Sequence, residues 1–148
     1  MSFRSAWSDP RLRAYALLRF VIGIDLFVHG GIRLWSGPAK FVGWMVGQFA
    51  ATPLPRGLVI AFAWPLPVLE LGLGALISVG LFTRCTLTVA FLLLAALVFG
   101  SSVRQDWTTV GVQLVYALAY FALLTLVDRD ELGVDGWRRR PVRAGANA

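Results

Sequence analysis

Charged side chains occur in this sequence where apolar ones would be expected. The run Arg19-Phe-Val-Ile-Gly-Ile-Asp25-Leu-Phe-Val-His29-Gly-Gly-Ile-Arg33-Leu34 is apolar over the length of a helix yet carries Arg19, Asp25, His29 and Arg33, and a second apolar run carries Glu70. At 3.6 residues per turn, Asp25, His29 and Arg33 recur at i, i+4 and i+8 and share one helix face. In the last apolar run, Gln113, Tyr116 and Tyr120 fall on neighbouring faces and are candidates to line the same interior. Carboxyl, imidazole and guanidinium groups close together can hold and exchange protons and hydrogen-bond the oxygens of a polar head group. Quinone reduction is chemistry of this kind: it consumes protons and needs donors within hydrogen-bond reach of the quinone oxygens. The competing reading is a polar network that only fixes helix packing. Charges at membrane depth are costly to keep for packing alone, which favours a binding or proton-transfer pocket of Asp25, His29, Arg33 and Glu70.

These residues do not suggest a metal centre. A single His and scattered carboxylates make no zinc or iron ligand set, and bis-histidine haem ligation is impossible within the chain. The one cysteine, Cys85, excludes an internal disulfide or a CxxC relay and reads as a small apolar residue. The expected cofactor set is therefore nothing covalent, with a bound quinone as the ligand such a pocket would take.

The elements that position these residues follow from hydropathy. The chain is 57% hydrophobic and 15% charged over 148 residues, too apolar for a soluble domain of this size. Apolar runs of membrane-helix length alternate with short polar breaks, and barrel strands would need only about 10 alternating residues each. The expected fold is an all-α polytopic membrane protein: a four-transmembrane-helix bundle with a short interfacial helix between spans one and two. The first span, from about Tyr15 to Trp35, is about 30 Å long and places Asp25 near the midplane. A central Asp costs about 2.5 to 3.5 kcal/mol on insertion scales, against roughly 0.3 to 0.6 gained per Leu, Ile, Phe or Val. The helix can insert, but Asp25 should face protein and a partner, the nearest lying on its own stripe.

Ser36-Gly37-Pro38 breaks that helix, and Phe41, Met45 and Phe49 then recur at helical spacing in a segment too short to span, an interfacial helix over about Ala39 to Phe49. The second span, about Gly57 to Val79, should kink or begin at Pro65 and Pro67, placing Glu70 at a depth comparable to Asp25, and Gly72 and Gly74 should allow close helix approach. A third span, about Cys85 to Val103, reads as plain scaffold; a fourth runs from about Thr109 to Val127. The chain thus divides into residues 1–13, a cytoplasmic lead-in; 14–127, the bundle; and 128–148, a polar cytoplasmic tail.

The net charge of +6 does not indicate nucleic-acid binding, because the basic residues sit at the ends of apolar runs. With both termini cytoplasmic, ten of the 14 Lys and Arg residues lie inside and four outside, as the positive-inside rule prefers. The N-terminal apolar run is too long and too polar at its centre for a cleaved signal peptide and is expected to be retained. Arg19 is expected to snorkel to the inner boundary. Trp35, Trp44, Trp64 and Trp107 fall at the outer boundary as an aromatic belt, or alternatively as an aromatic entrance for a flat apolar ligand, with Trp35 and Trp64 lining the pocket.

Arg19 with Gly23, His29-Gly30 with Arg33-Leu34, Glu70 followed by Gly72, and Gly80-Leu-x-Thr83-Arg84 together resemble the DoxX family of small four-helix membrane proteins, over about Leu17 to Asp135. The chain departs from that family in having Arg33 where Lys is more common, Asp25 where an apolar residue is usual, and Asp128-Arg-Asp-Glu131 in place of a small, glycine-rich stretch. The resemblance implies a bacterial or archaeal inner-membrane protein, with relatives described as the membrane subunit of a thiosulfate:quinone oxidoreductase and others associated with redox-defence complexes. Three function classes follow: a quinone-linked subunit, which needs other membrane or peripheral redox subunits because the chain has no flavin motif or dithiol; a non-catalytic accessory subunit of a larger respiratory or pigment complex; and a small-solute carrier, disfavoured by the lack of an internal repeat.

Overall fold

The Asp9-Pro10 pair starts the first long helix. In a computed structural model, which describes residues 3–145, a short helix α1 (Phe3–Ser8) precedes α2 (Pro10–Trp35). The Asp9 carboxylate accepts the Arg11 amide at 2.8 Å, and Pro10 occupies the first turn, where its missing N–H is not needed. The span thus begins five residues earlier than expected and, at 26 residues, is about 39 Å long. Gly37, at φ 99°, turns the chain into α3 (Pro38–Gln48), which buries Phe41, Val42 and Met45 and leaves Trp44 exposed, as an interfacial helix should.

Two helices make the second span: α4 (Arg56–Ala63) and α5 (Leu66–Val79), broken at Trp64-Pro65. Pro65 and Pro67 cannot donate backbone hydrogen bonds, but the ladder resumes on either side, with Trp64 N on Ile60 O at 3.1 Å and Leu69 N on Pro65 O at 3.0 Å. The prolines therefore kink one continuous span. α6 (Thr83–Val103), α7 (Trp107–Thr125), a 3₁₀ turn at Val127–Arg129 and α8 (Val134–Gly145) complete the chain. Four segments, Pro10–Trp35, Arg56–Val79, Thr83–Val103 and Trp107–Thr125, are long and apolar enough to cross a membrane, and the described residues contain no strand. The protein is an all-α, multi-pass bundle.

The tightest seam lies between α2 and α5, where glycines let backbone meet backbone. A Cβ on Gly74 would collide with the backbone of Phe27 and Gly23, and one on Gly30 with the backbone of Pro67 and Leu71. A Cβ on Gly23 would come within 2.6 Å of Ser78 N. The expectation for Gly72 fails: it faces open space, with nothing within 4 Å of its would-be Cβ. Gly72 and Gly74 are two residues apart, about 200° around a helix, so only one of them can face α2. On the other side of the bundle, Ile22, Ile77, Leu87, Ala90, Leu94, Tyr120 and Leu123 form a buried core that ties all four spans together.

At the opposite end of the bundle from α3, the α5–α6 turn is locked by the chain that follows α7. Gly80 ends α5 in the left-handed region at φ 71°, with Gly80 N on Ile77 O and Leu81 N on Leu76 O, both at 3.1 Å. Gly133 Cα would lie 2.7 Å from a Cβ at Gly80, so this position requires glycine for both conformation and space. Thr83 donates its hydroxyl to Asp130 at 2.6 Å and its amide to Asp135 at 2.7 Å, while Arg84 pairs with Asp128 at 2.8 Å. Burial raises the Asp135 pKa, but the hydrogen bonds from the Thr83 and Phe82 amides outweigh it and hold the carboxyl below the usual carboxylate range.

Arg19 does not snorkel. Because α2 begins at Pro10, Arg19 sits about 13 Å along the helix and is only 4% exposed. Its guanidinium instead donates to the carbonyls of Ile77 and Ser78 and pairs at 3.5 Å with Asp130, itself 1% exposed. Residues 127–136 are therefore docked onto the bundle, with Val127, Asp130, Gly133 and Gly136 buried.

Candidate functional site

The polar stripe of α2 meets α5, α6 and α7 around a single cavity of about 300 Å³, at the lower end of the size range for small-molecule sites. Asp25, His29 and Arg33 line it from α2, Glu70 from α5, and Gln113, Tyr116 and Tyr120 from α7. The remaining wall is largely apolar: Ile22, Leu26, Ala90, Leu93, Leu94, Leu97 and Val112. Seven of the nine residues picked out as pocket residues therefore come together. Trp35 and Trp64 do not line it; they are 95% and 51% exposed, Trp35 at the end of its span, where an aromatic belt forms, and Trp64 inside the second span at its kink. The third span, expected to be plain scaffold, supplies much of the apolar wall.

Charge pairing divides the site in two. Arg33 donates to Glu70 Oε1 rather than to Asp25, and its guanidinium lies 4.7 Å from the centre of the Phe41 ring, a cation–π contact made by the interfacial helix. Glu70 is almost fully enclosed, with its side chain 3% exposed. The second pair, Asp25 and His29, is looser: His29 Nδ1 is 3.5 Å from Asp25 Oδ2 and 2.9 Å from the Asp25 carbonyl, which it reaches as an N–H donor. The side chains of Asp25 and His29 are 39% and 53% exposed, so the cavity is open on that side. Tyr116 lies close enough to Asp25 to interact with its carboxylate.

A larger cavity of about 490 Å³ lies beneath α3 and shares Arg33, Leu97, Thr109 and Gln113 with the first. Its walls are mostly apolar, including Trp44, Phe49, Leu58 and Phe62, with Arg104 and Asp106 also lining it. Hydrogen bonds from the Thr109 hydroxyl and amide, and from Arg104, hold the Asp106 carboxyl below the usual range. Neither Phe41 nor Thr109 was picked out from sequence as a site residue. The signal for Phe41 was its helical spacing with Met45 and Phe49, which puts it on the inward face of the interfacial helix.

Among the described residues no three of His, Cys, Asp and Glu cluster closely enough to hold a metal ion. The family model for DoxX matches residues 14–102, well over half of the chain. The chain belongs to the DoxX family. The DoxX match contains Asp25, His29, Arg33, Glu70 and the Gly80–Arg84 turn, while Gln113, Tyr116, Tyr120 and Asp130 lie beyond it. No curated protein matches the chain, and no solved structure does. Membership accounts for a helical membrane protein.

Proposed function

We propose that this DoxX protein is an inner-membrane subunit of a quinone-linked redox complex and that the Asp25–His29–Arg33–Glu70 cavity holds the quinone head group. The observation that carries this reading is the composition of one cavity inside the spans: two carboxyls, an imidazole, a guanidinium and two phenols face an apolar wall. A flat head group fits between them, the apolar wall excludes water, and the open Asp25–His29 side gives a lipid-soluble ligand lateral access. Protons taken up on reduction can come from the Asp25–His29 pair, which is the more accessible one. The complex needs other subunits to deliver electrons.

The experiment is purification of the full chain in mild detergent, followed by solvent extraction and identification of bound lipids. The expected result is a quinone near one equivalent per chain, reduced at least several-fold by Asp25→Ala together with Glu70→Leu. A preparation saturated with phospholipid but free of quinone would count against the reading. The half-exposed Asp25 and His29 also favour a second reading, in which a partner subunit seals that opening and the protein serves as an accessory of a larger membrane assembly. A stable co-purifying assembly without quinone supports it.

Both termini are placed on the cytoplasmic side by the same proposal. In a Cys85→Ser background, an impermeant thiol reagent applied to intact cells should label Ser36→Cys and not Ala144→Cys. The reverse pattern inverts the orientation.

A further inference from the structure

The cavity contains hydrogen-bond acceptors with nothing to accept. Glu70 Oε2 and Gln113 Oε1 are both closed off from solvent and have no hydrogen-bond partner among the described residues, and both residues line the cavity. Glu70 is 2% exposed and Arg33 donates to its other oxygen, and a carboxylate paired in this way offers only lone pairs at Oε2. The two basic side chains of the cavity are already engaged: the Arg33 guanidinium is turned toward Glu70 and the Phe41 ring, and the His29 Nδ1–H toward the Asp25 carbonyl. An unsatisfied buried acceptor is unfavourable, and a ligand that brings an O–H relieves it.

We infer that the cavity prefers the hydroxyl-bearing, reduced form of its ligand, a hydroquinone, over the quinone, with Glu70 Oε2 as the principal acceptor and Gln113 Oε1 as the second. This rests on the quinone-type reading of the same cavity given above and adds to it the redox state that the site selects. A quinone offers only carbonyl lone pairs and would leave both protein oxygens without a proton to share. A site built to hydrogen-bond a ligand hydroxyl discriminates strongly against the analogue that lacks it.

The test is equilibrium binding of a short-chain benzoquinone and of its hydroquinone, kept reduced under anaerobic conditions, to the full-length protein in detergent. The hydroquinone is expected to bind about tenfold more tightly or better, a difference of about 1.4 kcal/mol. Gln113→Leu leaves the Arg33–Glu70 pair intact and should weaken hydroquinone binding severalfold without weakening quinone binding. Glu70→Gln, if it elutes as a single species on gel filtration, should shift the preference toward the quinone, because its amide can donate. Equal affinity for both forms, or a preference unchanged in Gln113→Leu, overturns the inference while leaving the quinone-type reading in place. If neither form binds, the functional reading falls and this inference falls with it.

Discussion

Replacing Asp130 by Ala should destabilise the protein by about 3 to 5 kcal/mol, the usual result of stranding one partner of a buried ion pair. The change removes the carboxylate facing Arg19, which sits 4% exposed inside the bundle. It also removes the acceptor of the Thr83 hydroxyl, at 2.6 Å, and of the Gly133 amide, at 3.1 Å. Arg19 keeps its bonds to the Ile77 and Ser78 carbonyls, so its charge is solvated in part but no longer balanced. Asp130→Asn should cost less, because the amide oxygen still accepts. Combining Asp130→Leu with Arg19→Leu should recover much of the loss, since it removes the charge along with its partner. Thermal unfolding of each variant in the same detergent checks this. If Asp130→Ala unfolds like the parent chain, the docking of residues 127–136 onto the α5–α6 turn contributes nothing to stability.

A single added methyl group at Gly74 should be strongly destabilising. An alanine there would put Cβ against the backbone of Phe27 and Gly23, where no side chain can move aside, so α2 and α5 must separate along their tightest seam. The expected loss is about 3 kcal/mol or more, at or above the top of the ordinary range for overpacking. Gly72→Ala is the matched control: its Cβ enters open space, and the helix gains up to about 1 kcal/mol in propensity. Because α2 and α5 carry Arg33 and Glu70, Gly74→Ala should also loosen that pair and lower ligand binding more than it lowers yield. Equal thermal stability of the two alanine variants would contradict the packing described for this seam.

Spans and breaks were legible because they depend on local quantities: apolar run length, prolines and turn residues. The i, i+4, i+8 stripe was legible for the same reason, and helical geometry obliges Asp25, His29 and Arg33 to share a face. Partner choice was not, because it depends on which face of another helix arrives. Arg33 turns to Glu70, 37 residues away, and leaves Asp25 to His29. One inference was available and missed: Glu70 must face protein, and Gly74 at i+4 shares its face, so Gly74 rather than Gly72 marks the contact. Arg19 misled because its partner, Asp130, lies beyond the fourth span in a stretch that reads as a polar tail. Trp35 misled differently, since an aromatic at a span boundary serves a belt and a cavity wall equally well until the face it occupies is known, and Trp64 sits not at a boundary but at the kink inside the second span.

The most direct test of the central claim is to ask where a quinone touches this protein. Irradiating the full-length chain in native membranes with a photoreactive azidoquinone, then mapping the adducts by peptide mass spectrometry, locates the head group independently of any activity. The account predicts adducts on α2 between Ile22 and Arg33 and on α7 between Thr109 and Tyr120, competed away by excess unmodified quinone and strongly reduced in Glu70→Leu. Adducts confined to the exposed apolar faces of α6 and α7, insensitive to competitor and to Glu70, would contradict it.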